Sequence, residues 1–402
     1  MKELLLEADR CLMCKKPRCR EHCPIDTPIP EVIALFKEGK MAEAGEILFK
    51  NNPLTQVCGI VCPHDDQCKG NCIRGIKSEP VRFCEIEAYV SKVYIENAKF
   101  EKETDIDKMV AVVGGGPAGI TVAFILAQKG YRVTIFDANP KLGGVLRYGI
   151  PKFRLPKDII DTYEERLSEL GVSIRPNTLI GPVVTLDRLF ADGYKAVFIG
   201  TGVWNPRVLN IKGESLGNVH YAIDYLKTPE TYRIGERVIV IGAGDVGMDA
   251  ARTAKRNGAK DVRILHLKGM DEITATKSEL EGALEDGVKI ETYKAPMELT
   301  LKGVKYRETK SGTGEDVKEG FLECDTIIIA ISQAPKNNIV ANTTGLETDD
   351  RGHILADEEG RTTREGVFSA GDVVIGAATV VKAVAKSKLV AEAMDNYLKS
   401  IE

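Results

Sequence analysis

The stretch MVAVVGGGPAGITVAFILAQKGYRVTIFD, residues 109–137, sets out a strand, a glycine turn, a helix and a second strand in that order. Its turn, Gly114-Gly115-Gly116-Pro117-Ala118-Gly119, fits G-x-G-x-x-G. Gly114 permits the tight turn, Gly116 lets a pyrophosphate approach the backbone, and Gly119 lets helix and strand pack closely. The helix N-terminus then faces the phosphates. Asp137 closes the second strand, where a carboxylate accepts hydrogen bonds from an adenosine ribose. Glycine turns also occur without ligands, so the motif by itself establishes a βαβ unit more firmly than an activity.

Outward from this unit, RVIVIGAGDVGMDAARTAKRNGAKDVRILHL, residues 237–267, repeats the same order of elements. Its turn is Gly242-Ala243-Gly244-Asp245-Val246-Gly247. The second strand of this copy ends in His266-Leu267-Lys268, without the Asp or Glu that an NAD site usually places there. By default His266 and Lys268 are solvated surface residues; their alternative is a 2′-phosphate, for which an arginine fork is the usual solution. Between the two units lie an amphipathic helix, KDIIDTYEERLSELG, and a short buried-type strand, KAVFIGTG. After them VKIETY, MELTLKGVKYRET and CDTIIIAIS read as strands, and a helix is expected from about Thr379 to Lys399. Gly371-Asp372 follows the apolar VFSA and precedes a small-residue loop. A flavin needs a second, distant segment: Asp372 for the ribityl hydroxyls, and the helix-end amides of Thr379, Val380 and Val381 for the electron-rich pyrimidine end. A surface Gly-Asp turn is the plainer reading.

The cysteines are unevenly placed. Cys11, Cys14, Cys19, Cys23, Cys58, Cys62, Cys68, Cys72 and Cys84 precede residue 85, and only Cys324 follows. Helix-like stretches, PEVIALFKEGKMAEAGEILFK and FCEIEAYVSKVYIENA, flank the cysteine loops, and the charged NAKFEKETDIDK suits a linker. Cys11-x2-Cys14-x4-Cys19-x3-Cys23-Pro24 and Cys62-Pro63-x4-Cys68-x3-Cys72 let several thiolates converge. Thiolates match soft iron and tolerate its change of charge, and a proline after the fourth cysteine is ferredoxin-like. Structural zinc is the alternative, because C-x2-C pairs are also zinc knuckles. Cys58, Cys84 and Cys324, taken singly, are most simply small buried hydrophobes.

The chain has 402 residues, with Lys+Arg 55 against Asp+Glu 59 for a net charge of −4, and 43% hydrophobic residues. That composition points to two or three ordinary domains and shows no basic footprint for nucleic acid. The N-terminus, MKELLLEADRCLMCKK, lacks a signal-peptide pattern and no run is long enough for a membrane span, so the expected location is cytoplasmic. In a reducing compartment clustered cysteines bind metal more often than they form disulfides.

Several stretches together carry a family resemblance: CLMCKKPRCREHCP, CPHDDQCKGNC, GGGPAGI, LGGVLRYGIPKFRLPK, GTGVWNPRVLNIKGE, AISQAP and FSAGDVVIGAATVVKAV. The chain resembles, over nearly its whole length, the small-subunit family of NADPH-dependent glutamate synthase. Relatives in that family include ferredoxin:NADP transhydrogenases and the N-terminal part of dihydropyrimidine dehydrogenase. The resemblance implies an α/β fold with two Rossmann-like nucleotide-binding domains, adrenodoxin-reductase-like, preceded by a small helical iron-sulfur domain. It places the helical domain at 1–100, an FAD domain at 101–205 and 325–402, and an NAD(P) domain at 206–324. It implies one 4Fe-4S cluster on Cys11, Cys14, Cys19 and Cys72, and another on Cys23, Cys62 and Cys68 with Glu87 as a non-cysteine fourth ligand. Cys58 is no ligand in that pattern. Gly144, Arg147 and Gly202 join the implied cofactor contacts. The chain departs from the family in being shorter around residues 295–320, and in carrying His266-Leu267-Lys268 where NADPH-binding relatives carry Tyr-Arg-Arg.

The function implied is an oxidoreductase passing electrons between NAD(P)H, FAD and two 4Fe-4S clusters. The expected partner is a redox subunit: a glutamate synthase large subunit, a ferredoxin-linked dehydrogenase or a hydrogenase. No general base is required, because hydride transfer to a flavin needs stacking, exclusion of water and a donor to the reduced ring. Three rivals remain: a stand-alone NAD(P)H:acceptor reductase, a thioredoxin-reductase-like disulfide reductase, and a nucleotide-binding scaffold without turnover.

Overall fold

A computed structural model describes residues 1–309 and 316–401, with the side chains of 316 and 317 left aside. Residues 310–315, part of the shortened stretch noted above, lie outside the described residues. The chain divides into two compact units. One comprises Met1–Leu146, Lys152–Val203 and the segment from Ala334 onward; the other comprises Arg147–Pro151 and Trp204–Gln333.

The first unit begins with helices Lys2–Asp9, Arg18–Glu21, Ile29–Lys37, Met41–Asn51, Thr55–Val61 and Phe83–Asn97. Apolar residues three and four apart put Val32, Ile33 and Phe36, Ala44 and Leu48, and Phe83, Ile86 and Val90 into one core. Cys68 belongs to this core and Cys11, Cys19 and Cys72 pack against it, so the cysteine loops are pinned by hydrophobic burial. The segment expected to be a linker, 97–108, has no regular structure beyond Asn97, which ends the preceding helix, but it is anchored. The Phe100 ring lies 4.8 Å from that of Phe49 and 5.9 Å from that of Phe124. The Glu103 and Ile106 amides also donate to Gln128 and Gly130 carbonyls.

The same unit holds a parallel sheet ordered Val367–Ser369, Tyr194–Ile199, Met109–Val113, Arg132–Phe136, Ser173–Arg175. Met109 pairs with Arg132 and Val113 with Phe136, so both strands end together at the glycine turn. Helix Pro117–Gln128 starts with proline, whose missing N–H costs nothing at that position. It is buried nearly all round, between the sheet and the long helix Val380–Ser400. Fully buried Phe124 and Leu126 each contribute about 2–3 kcal/mol of hydrophobic stabilisation.

The second unit repeats the architecture with a parallel sheet ordered Val219–Tyr221, Thr326–Ile329, Arg237–Ile241, Asp261–Leu265, Lys289–Glu291. An antiparallel sheet, Lys294–Thr300, Gly303–Thr309 and Asp316–Glu323, follows. Among the described residues no helix is long and apolar enough to cross a membrane.

Candidate functional site

The cysteine loops come together as two groups. Cys11 follows the first helix, Cys19 lies in helix Arg18–Glu21, and Cys72 precedes a 3-10 turn at Ile73–Ile76. With Cys14 and Cys68 they line a pocket. Ile29, Ile33 and Phe83 form apolar wall, and Arg18 and Arg74 stand beside the thiols. Burial pushes the Cys19 thiol up to about 11, and neighbouring Cys72, Cys11 and Cys14 push it the same way. Arg74 Nε is buried with no hydrogen-bond partner, a donor left over for an anion in the cavity.

The second group centres on Glu87, which is 6% exposed on helix Phe83–Asn97. Burial raises its carboxyl to about 7, against the opposing 3.0 Å hydrogen bond donated by Thr55 Oγ1. Burial first, then Glu87, Cys84 and Cys23, hold the Cys68 thiol well above its ordinary range. Cys62 is raised by a shared hydrogen bond with Cys58, then by burial, with Glu87 and Cys68 also near. Cys23, Cys62, Cys68 and Glu87 are therefore brought together, while Cys11, Cys14, Cys19 and Cys72 form the other set, with Cys68 also reaching the wall of their pocket. Cys58 and Cys84, which look isolated in sequence, flank the second group. Among the described residues no three His, Cys, Asp or Glu side chains are gathered to hold a single metal ion. A donor set of thiols with one carboxylate suits the soft iron of an iron-sulfur cluster.

At the first glycine turn Gly114 has φ +98, and a Cβ at Gly119 would stand 1.9 Å from Gly114 O. At Gly116 a Cβ would meet only Gly144 Cα, at 3.7 Å, which leaves the backbone open to a ligand. Pro117 opens the helix and Ala118 is buried behind it. Gly371 is carried to the same place, for a Cβ there would be 3.2 Å from the Ala118 methyl. Gly144 and Gly202 both have positive φ, while Arg147 falls in the second unit. Asp137 braces the turn: Oδ2 accepts from the Gly115 amide at 2.7 Å and Oδ1 from the Asn139 amide at 2.7 Å. Burial raises the Asp372 carboxyl to about 6. Thr379 caps helix Val380–Ser400, and its Oγ1 is buried without a partner. An open backbone, an orphaned hydroxyl and a desolvated carboxylate converge from both ends of the sequence, and they fit a flavin dinucleotide.

In the second unit Gly242 has φ +116, and a Cβ at Gly247 would lie 2.1 Å from Gly242 O. Gly244 is open apart from Thr274 Oγ1 at 3.5 Å, and Val246 packs on the core beneath. Asp245 Oδ1 accepts from the Thr276 amide at 2.7 Å. Burial pushes the His266 imidazole below its ordinary range, and its Nε2 is buried without a partner. Lys268 is not a free charge: its Nζ lies 2.9 Å from Glu272 Oε1. Glu272 carries no sequence signal as a site residue, because it lies beyond the strand end and its pairing with Lys268 depends on the fold of the loop between them.

Residues 1–99 match the family model for dihydropyrimidine dehydrogenase domain II, 4Fe-4S cluster. Residues 77–190 and 108–393 match that for pyridine nucleotide-disulphide oxidoreductase. The glutamate synthase [NADPH] small chain of Halomonas elongata is 32% identical over 98% of this chain and 90% of its own length. The NAD-dependent dihydropyrimidine dehydrogenase subunit PreT of Escherichia coli is 31% identical over 98% of this chain and 94% of its own. Among solved structures, T. acidophilum thioredoxin reductase superposes with a TM-score of 0.58 at 24% identity, covering 74% of this chain and 100% of that one. That likeness concerns fold alone. With two nucleotide-binding sheets, a cysteine-rich helical segment ahead of them and these matches along its length, the chain belongs to the glutamate synthase small-chain family of iron-sulfur flavoprotein oxidoreductases.

Proposed function

We propose that the chain passes electrons between NAD(P)H, a bound FAD and two 4Fe-4S clusters, as the nucleotide-oxidising or nucleotide-reducing subunit of a larger complex. The carrying observation is the sorting of the thiols into two groups within the compact unit that also holds the Gly114–Gly119 turn. Cys11, Cys14, Cys19 and Cys72 would hold one cluster, and Cys23, Cys62, Cys68 and Glu87 the other. When bound, a flavin would accept a hydride, two electrons with a proton, from a nicotinamide and release the electrons singly to a cluster. Gly116 and the amides after it receive the flavin pyrophosphate, Asp137 keeps the turn in shape, and Asp372 and Thr379 orient the ribityl and pyrimidine ends. Gly242 to Gly247 receive the nicotinamide nucleotide.

A partner subunit fits because the relatives named above are subunits of glutamate synthase and of a dihydropyrimidine dehydrogenase. A disulfide-reductase reading lacks its chemistry: Cys324, 1% exposed in the core, is the only cysteine in its unit. Anaerobic purification should give about eight irons with matching acid-labile sulfide, and NADH or NADPH should bleach the flavin. Stoichiometric zinc without sulfide, or a flavin that neither nucleotide bleaches, would return the chain to a metal-stapled scaffold.

A further inference from the structure

The segment that follows strand Asp261–Leu265 does not run off into solvent. It folds back over the second glycine turn: the Ala275 amide donates to Ala243 O at 3.2 Å and the Thr276 amide to Asp245 Oδ1 at 2.7 Å. Thr274 Oγ1 is 3.5 Å from the position a Cβ of Gly244 would take. The residues between strand end and anchor, 266–273, are therefore held beside the turn, on the side where a dinucleotide lays its adenosine ribose.

Within this stretch one lysine, Lys268, stands among two carboxylates, Asp271 and Glu272. Lys268 Nζ pairs with Glu272 Oε1 at 2.9 Å, and Glu272 Oε2 accepts from the Gly269 amide at 3.4 Å. At the start of strand Lys294–Thr300, Lys294 Nζ is taken by Glu291 at 3.2 Å, and on strand Asp261–Leu265 itself Arg263 is taken by Asp261 and Glu291. Leu267, between His266 and Lys268, is 52% exposed and apolar. Burial holds the His266 imidazole below its ordinary range, against an opposing bond to the Glu272 backbone, which disfavours a cation there. A ribose 2′-phosphate needs a cation, preferably a guanidinium fork, while a free 2′-hydroxyl needs an acceptor.

We infer that this site takes NADH in preference to NADPH, and that Glu272 sets the preference by occupying Lys268 and placing a carboxylate beside the adenosine ribose. The inference rests on the assignment of Gly242–Gly247 as the nicotinamide nucleotide site. Glu272 is the specificity-determining residue, and Lys268 serves as its partner.

The test is the dissociation constant of NAD⁺ and of NADP⁺, by calorimetry on the flavin- and cluster-loaded protein, for the native chain, Glu272→Gln and Leu267→Arg. Both positions are solvent-facing, and flavin content with circular dichroism checks that each variant folds. The native chain should bind NAD⁺ at least about tenfold more tightly. Glu272→Gln should tighten NADP⁺ by roughly three- to fivefold, the scale of one exposed ion pair released, and should not tighten NAD⁺. Leu267→Arg should tighten NADP⁺ further. Native preference for NADP⁺, or an unchanged ratio in Glu272→Gln, overturns the inference while leaving the nucleotide site standing. Binding of neither nucleotide removes the site assignment and the inference with it.

Discussion

Thr55 Oγ1 donates a 3.0 Å hydrogen bond to Glu87 Oε1, and Ser91 Oγ donates in turn to Thr55 at 3.2 Å. The three residues lie on facing helices and are all buried, so the carboxylate is aimed rather than free to turn. A buried acid without a basic partner is expensive to keep, and the expense is explained if the oxygen not held by Thr55 is a cluster ligand. Glu87→Ala should lower bound iron and sulfide by about half, one cubane of two, while Glu87→Gln should retain a cluster with an altered electron paramagnetic resonance signal. Full iron content in the alanine variant would take Glu87 out of the ligand set.

The two cysteine groups make separable predictions. Cys14 lines the thiol cavity, and Cys14→Ser should cost one cluster, read as iron and sulfide per chain. Cys58 is 2% exposed and hydrogen-bonded to the Cys62 thiol, so Cys58→Ser should keep both clusters and cost only about 1 kcal/mol or less of stability. A cluster lost from the Cys58 variant would exchange the assignments of Cys58 and another group.

Gly119 has no space for a side chain, since a Cβ would stand 1.9 Å from Gly114 O, which is backbone. Gly119→Ala must push helix from strand and disturb the turn above it. About 1–3 kcal/mol of destabilisation is expected, together with loss of flavin on gel filtration. Normal flavin stoichiometry in this variant would show that the turn does not hold it.

Asp395, 2% exposed, joins the long C-terminal helix to the first glycine helix through Lys129 at 3.0 Å and Tyr131 at 2.7 Å, with Lys399 at 2.9 Å. Burial alone would raise its carboxyl, but bonds from Lys399, Tyr131 and Lys129 prevail and hold it below the ordinary 3.8. A depressed folded pKa contributes stability above the unfolded value, and that stability is lost as pH falls below about 4 through the folded value. Asp395→Asn should cost about 1.5–3 kcal/mol near pH 7 and show a shallower acid limb, so that the two proteins converge toward pH 2. Parallel melting curves across that range would contradict this account.

Much of the fold was legible locally. Both glycine turns announce themselves because a dinucleotide fold needs particular glycines within six residues, and Gly114, Gly119, Gly242 and Gly247 meet backbone at distances no side chain tolerates. The cysteine spacing likewise marks a metal module, because thiols in one loop are neighbours by covalent connection alone. The segment 97–108 reads as a linker because charge dominates its composition, whereas the Phe100 ring and the Glu103 and Ile106 amides anchor it.

What the sequence determined by itself was therefore the inventory: two nucleotide turns, a thiol-rich helical segment, and their order along the chain. The tertiary structure alone decided the company each residue keeps. It joined Gly371 to Ala118, set Cys23 beside Cys68 and Glu87, turned Asp137 into a brace of its own glycine turn, and closed Glu272 on Lys268. The reason is physical: a turn is specified by torsions within a few residues, but burial and ion pairing depend on which distant segments the core brings together, and no local spacing records that.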